Sequence, residues 1–141
     1  MVIYKKALIV DDDRIAILTL ERLLGDLDFK VSSAKNGHDA WTILLEEHPF
    51  LIILDWVMPI VDGLELCKRI RAAHEGFERK PYIIALSSKD DGAHKAQFLA
   101  AGADDYVTKP FDRLELTARI EAGWRRLVWE EETLARQRET C

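Results

Sequence analysis

The chain has 141 residues, 48% hydrophobic and 32% charged, with a net charge of −5. This is one ordinary domain with enough apolar residues for a core, which excludes a disordered chain, and the acidic balance disfavours direct binding of nucleic acid. No apolar run approaches the roughly 20 residues that span a bilayer, and MVIYKKALIVDDD has too short an apolar run for a signal peptide, so the expected setting is cytoplasmic, away from membranes.

Taken in chain order, the first strand-like run is KALIV, 6–10, followed at once by Asp11, Asp12 and Asp13. Arg14–Leu24 then carries a broad apolar face of Ile15, Ile17, Leu18, Leu20, Leu23 and Leu24, which Gly25 is expected to end. Asp13 reads as the cap of this helix. KVSSA, 30–34, is the second strand. Asn36 precedes the helical segment GHDAWTILLEEH, which places Ala40, Trp41, Leu44 and Leu45 together, and Pro49 forbids its continuation. FLIIL, 50–54, is the third strand and delivers Asp55. Pro59 and Gly63 shape the loop that follows, and Asp62 can cap GLELCKRIRAAH, whose Leu64, Cys67 or Lys68, and Ile70 or Arg71 lie near one face. YIIAL, 82–86, is the fourth strand, followed by Ser87 and Ser88; Asp90 or Asp91 can cap GAHKAQFLAAG. DYVT, 105–108, is the fifth and leads to Lys109 and Pro110. Cys67 and Cys141 match no CxxC or zinc spacing and read as free thiols.

The last helix starts at Pro110 or Phe111, and from Asp112 to about Glu139 only Gly123 interrupts it. About 28 helical residues extend roughly 42 Å, more than a small sheet can cover. Ile120, Trp124, Leu127, Glu131, Leu134, Arg138 and Cys141 step in a heptad rhythm, with polar residues at two of the seven places. A frayed, solvated tail is one reading; a dimer-forming or connecting helix is the favoured one.

Strand and helix alternate five times. Such alternation argues for an α/β fold with a parallel sheet, and right-handed crossovers put helices on both faces. In such sheets ligands bind at the carboxyl ends of the strands. There the chain sends Asp11, Asp12 and Asp13, then Asp55, then Ser87 and Ser88, then Lys109. Two carboxylates about 4 Å apart repel by some 4 kcal/mol at an effective dielectric near 20. The cluster therefore calls for a counter-charge. Hard oxygen ligands at a wet edge suit Mg²⁺, with Lys109 balancing the remainder or a further anion. Each feature alone has a blander meaning: a helix cap for the acids, a turn for the serine, a loop for Lys-Pro. Their convergence on one edge favours a site.

ALIVDDDR, LIILDWVMPIVDGLELCKRIR, IIALSSKDD and AGADDYVTKPF together resemble the receiver domain of two-component response regulators, over residues 5 to about 123. The resemblance implies a doubly wound, flavodoxin-like five-stranded sheet of order 2-1-3-4-5, here with an extended C-terminal helix. It implies a receiver domain over 1–123 and a helical extension over 124–141 that serves as connector or dimerisation segment. It further implies that Asp55 is the phosphoacceptor, charged by a sensor histidine kinase or phosphotransfer protein. Asp11, Asp12, Asp55 and the carbonyl of Val57 would hold Mg²⁺, and Lys109 would pair with the phosphoryl oxygens. Ser87 would be the switch hydroxyl, where threonine is commoner, and Tyr106 the switch aromatic that turns inward. Pro110 would follow a cis peptide. Val57 and Lys89 flank the site and would tune dephosphorylation. A linked output domain is expected beyond residue 141, and a homodimer through the last helix is a second expectation.

The resemblance implies a signalling module rather than a turnover enzyme. Two other classes compete. A magnesium phosphohydrolase would place its nucleophile after the first strand with a second acid two places on, as Asp11 and Asp13 superficially allow; it would leave Asp55 without a role, and the chain is short for a cap domain. A phosphorylation-independent interaction module would have lost Asp55, Lys109 or the acidic pair, and all are present. No G-x-G-x-x-G follows the first strand, which disfavours a dinucleotide fold.

Overall fold

The apolar runs become five parallel strands in a computed structural model that describes residues 5–55, 63–73, 80–88 and 92–140. They are β1 (Lys6–Val10), β2 (Lys30–Ala34), β3 (Leu51–Asp55), β4 (Tyr82–Ser87) and β5 (Asp105–Thr108), side by side in the order β2-β1-β3-β4-β5. The helices are α1 (Arg14–Asp26), α2 (Gly37–Glu47), α3 (Gly63–Ala72), α4 (Gly92–Ala101) and α5 (Arg113–Thr140). Residues 5–110 form one compact unit, and the chain from Phe111 onward belongs to a second.

Within the first unit the sheet is buried on both faces, as crossover helices require. One face packs Leu8, Ile52, Leu54, Ile83 and Ala85 with Ala40 and Leu44 of α2, Leu66 and Ile70 of α3, and Phe98 of α4. On the other face Ile9, Ile53 and Ile84 are also buried, and α1, which lies along β1 and β2, supplies Ile17, Leu20, Leu23 and Leu24. β3 is the middle strand, and Leu51–Leu54 are completely enclosed. The strand begins and ends one residue later than the sequence reading: Phe50 lies before it, stacked 6.1 Å from Phe29 and 6.3 Å from Tyr82, and Asp55 is its last residue. The carboxylate is thus borne by the strand, not by a loop after it.

Three helix ends differ from, or fill in, the sequence reading. α1 does not stop at Gly25 but runs to Asp26, because the reversal falls further on, at Asp28 with φ 68°. Aspartate tolerates this left-handed conformation better than most residues. Leu27 and Asp28 close the turn by donating to the carbonyls of Leu24 and Gly25, each at 3.0 Å. The second helix ends at Glu47 rather than at His48, which takes φ 48° as its left-handed cap ahead of Pro49. α5 starts at Arg113, not at Pro110 or Phe111, since Asp112 accepts from the main-chain N–H groups of Leu114 (2.8 Å) and Glu115 (3.4 Å). Asn36 caps α2 through Asp39 N–H at 2.8 Å, and Asp13 caps α1 through Ile15 N–H at 3.0 Å. The expected caps at Asp62, Asp90 and Asp91 lie outside the described residues.

α5 is 28 residues long. Leu116, Ile120, Gly123 and Leu127 are its buried positions, while Leu114, Trp129 and Leu134 are exposed. Arg119–Glu115 and Arg126–Glu130 pair one turn apart on its surface, at 3.1 and 3.3 Å. Such pairs add only about 0.3–0.5 kcal/mol each.

The amino edge of the sheet is locked by Arg71 at the end of α3. Its guanidinium donates to the carbonyls of Gly102 and Pro81 and to the carboxylate of Asp104, each at 2.8 Å. The same Asp104 oxygen accepts from Ile83 N–H at 2.8 Å. Gly102 has φ 112°, and any side chain there would collide with Arg71 Cγ, so glycine is required for conformation and for space.

Candidate functional site

The parallel order explains how distant residues meet. β1 and β3 are neighbours, and β4 and β5 continue the same sheet, so the residues at their carboxyl ends share an edge. Asp11 follows β1 and is 2% exposed. Its main-chain N–H donates to the Ala34 carbonyl at 3.1 Å, and its Oδ1 accepts from Asp13 N–H at 2.9 Å. Its other oxygen, Oδ2, accepts from Lys109 Nζ at 3.0 Å. Asp55, half-buried, accepts from the same ammonium at 3.3 Å through Oδ1. Lys109 therefore bridges two carboxylates that are 98 and 54 residues away in the chain. Asp12 is exposed beside them.

The charges explain the proton affinity of Lys109. Burial alone would lower it, but the hydrogen bond to Asp11 and the negative charges of Asp55 and Asp11 outweigh burial and hold the ammonium above its ordinary pKa of 10.5. Among the described residues one ammonium faces three carboxylates. Asp11, Asp12 and Asp55 each bring an oxygen within 4.8 Å of the others. At that spacing a pair repels by about 3 kcal/mol at an effective dielectric near 20. The donor set is all hard oxygen, and exposed Asp12 leaves one side wet. A cation that keeps several waters, as Mg²⁺ does, fits these residues.

Ser87 ends β4 and is 2% exposed. In the β3–β4 pairing Asp55 lies opposite Leu86, so Ser87 sits one residue further toward the edge. Ser87 is opposite Thr108 of β5, and its carbonyl accepts from Lys109 N–H at 2.7 Å. Tyr106 is on β5 with its ring turned into the protein, 8% exposed. The ring lies 5.8 Å from Phe98 of α4, and Lys95 Nζ stands 5.9 Å from its centroid. The Lys109–Pro110 peptide is cis. Asp11, Asp12, Asp55 and Lys109 are thus brought together, with Ser87 on the next strand end. Val57 and Lys89 lie outside the described residues.

Sequence reasoning assigned Gly63 to a loop-shaping role and missed its closeness to Asp55: a side chain at 63 would meet the main-chain carbonyl of Asp55. The "DG" before an apolar-periodic segment was the available signal, but it announces a turn, not what the turn touches.

A parallel α/β sheet of this strand order, with an acid–lysine cluster at its carboxyl edge, is a doubly wound, flavodoxin-like architecture. The profile of the response regulator receiver domain matches residues 7–121, and the chain belongs to that family. The phosphate regulon transcriptional regulatory protein PhoB of Rhizobium meliloti is 41% identical over 122 residues, covering 86% of this chain and 52% of that protein. The chain thus spans about half the length of this curated relative. The BeF₃-activated N-terminal receiver domain of Klebsiella pneumoniae RstA is 29% identical with a TM-score of 0.77, over 85% of this chain and 98% of that one. A chain of the Saccharomyces cerevisiae co-crystal of the histidine phosphotransfer signalling protein Ypd1 with the receiver domain of Ssk1 is 30% identical with a TM-score of 0.76, over 83% and 86%. Among the described residues no helix is long and apolar enough to cross a membrane.

Proposed function

We propose that this receiver domain accepts a phosphoryl group on Asp55 from a phosphohistidine of a sensor histidine kinase or phosphotransfer protein. The observation that carries the reading is Lys109 bridging Asp11 and Asp55 at 3.0 and 3.3 Å on the carboxyl edge. An Asp55 oxygen forms the new O–P bond as the P–N bond of the donor breaks, and the imidazole nitrogen keeps the electron pair. Asp11, Asp12 and Asp55, with the carbonyl of Val57, would hold Mg²⁺, which when bound supplies positive charge to the phosphoryl oxygens. Lys109 orients and neutralises the same oxygens. Positioning and charge neutralisation carry most of the catalysis of phosphoryl transfer. Ser87 would donate its hydroxyl to the new phosphoryl group, and Tyr106 would report the change to α4.

The receiver would extend over 1–123, with 124–141 as a helical connector or dimer contact toward an output domain. The relative spanned only by half, and named as a transcriptional regulator, supports an output domain, and the Ypd1 complex supports a phosphotransfer partner. The whole chain, treated with an acyl phosphate and Mg²⁺, is expected to gain one phosphoryl mass, lost in Asp55→Asn. An unmodified wild type, or many turnovers of a phosphomonoester per site, would overturn the reading.

A further inference from the structure

Gly63 opens α3 and is buried. A methyl side chain at this position would fall on the main-chain carbonyl oxygen of Asp55, 3.0 Å from its carbonyl carbon and 2.6 Å from Leu54 Cδ1. Non-bonded carbon atoms sit at about 3.5–4.0 Å. The obstacle is backbone, and it belongs to the middle strand. Leu54 is paired with Val10 of β1 and with Ala85 of β4, and Asp55 with Leu86. That strand cannot yield locally without moving the residue at its tip. By contrast a side chain at Gly25 or Gly92 would meet nothing within 4 Å, and one at Gly102 would meet the side chain of Arg71 rather than the main chain of a central strand.

We propose that Gly63 is a positioning residue for the phosphoacceptor. Its missing side chain lets the start of α3 seat on the Asp55 peptide, and this seat sets where the Asp55 carboxylate stands relative to Lys109 Nζ, 3.3 Å away. Gly63 touches no phosphoryl group; it acts through the Asp55 main chain. The inference rests on Asp55 being the phosphoacceptor. In the test reaction an Asp55 oxygen bonds to phosphorus while the donor's P–O bond breaks and its carboxylate leaves with the electron pair. A misplacement of the attacking group by about 1 Å costs on the order of 100-fold in rate.

The full chain is compared as wild type, Gly63→Ala, Gly25→Ala and Gly63→Ala/Leu54→Val, each treated with acetyl phosphate and Mg²⁺ and followed by intact mass, with circular dichroism confirming the fold. Wild type and Gly25→Ala should be modified alike. Gly63→Ala should lose about 100-fold in saturated rate with an unchanged half-saturating donor concentration. Trimming Leu54 should not restore it, because the Asp55 carbonyl is still struck. Equal rates in wild type and Gly63→Ala would overturn the proposal, and so would recovery in the double variant, which would locate the fault in side-chain packing. Should Gly63→Ala not fold, labelled wild type decides: a through-space contact between Gly63 Hα and a Leu54 methyl, and Gly63 resonances that move on phosphorylation, are expected, and absence of either overturns it. A wild type that takes no phosphoryl group sinks the phosphoacceptor reading instead and takes this inference with it.

Discussion

The two ends of the sheet each hold a carboxylate against a cation, and they are built in opposite ways. At the amino edge one guanidinium meets one carboxylate, with side chains 15% and 19% exposed, and two main-chain carbonyls take further guanidinium N–H groups. Among the described residues these charges balance, and two of the guanidinium's bonds are spent on fixed backbone. At the carboxyl edge one ammonium divides itself between Asp11 and Asp55 while Asp12 stands beside them. Among the described residues negative charge is in excess there, and the cation is a flexible point charge rather than a planar fork. A closed, neutral arrangement holds elements together. An open one with three carboxylate oxygens within 4.8 Å of one another is the arrangement that the proposed Mg²⁺ would complete.

Mutation should separate the two ends. Arg71→Ala leaves Asp104 enclosed without its cation and should destabilise the protein by about 3–5 kcal/mol. Urea unfolding should show this, and Mg²⁺ should not repair it. Lys109→Met should cost about 1–3 kcal/mol by leaving acceptors without their donor. Here Mg²⁺ should recover much of the loss, since a divalent ion meets the same surplus. The same variant should accept phosphate from a small donor about 100-fold more slowly. If Mg²⁺ rescues both variants or neither, the contrast between the ends is wrong.

Smaller effects sharpen the contrast. Gly102→Ala, forced to φ 112° and against Arg71, should cost about 1–3 kcal/mol without slowing phosphorylation of the folded protein. The raised proton affinity of Lys109 has a definite sign. Its contribution to stability is complete below the ordinary value of 10.5 and is lost as pH rises through the higher folded value. The stability gap between wild type and Lys109→Met should thus stay open at neutral pH and close in strong base. Cys67 belongs to the amino end: burial pushes its thiol up to about 11, Arg71 opposes and Asp104 adds to the rise. In a Cys141→Ser background it should resist alkylation near pH 8, roughly where a free thiol begins to ionise, and react only on unfolding. Fast reaction in the native protein would show the amino end to be looser than its hydrogen bonds indicate.

How far the sequence carried the reading follows the same division. The carboxyl edge was legible because topology alone assembles it: apolar runs mark strands, and whatever follows a parallel strand arrives at one edge. Lys109 could thus be matched to Asp11 across 98 residues without knowledge of any side chain. The Arg71 lock was not legible. Its partners are two carbonyls, which leave no mark in a sequence, and an aspartate in a turn. Arg71 on an amphipathic helix looks like a solvated charge until the α4–β5 turn is laid beside it. Gly25 misled for a related reason. A glycine near a helix end suggests a stop, but the left-handed residue was Asp28, and only the backbone angles reveal that.

The central placement of β3 has a consequence for the timing of motions. A strand with ladders on both sides and apolar cover on both faces opens to solvent only when the whole domain opens. The amides of Leu51–Leu54, hydrogen-bonded between β1 and β4, should therefore be among the last to exchange with deuterium. Asp55 is mounted at the tip of that slow strand, whereas Lys109 reaches in from beyond the edge strand β5. Under the proposed function Asp55 would be the still point of the site, and adjustment to an incoming group would fall to the arms around it.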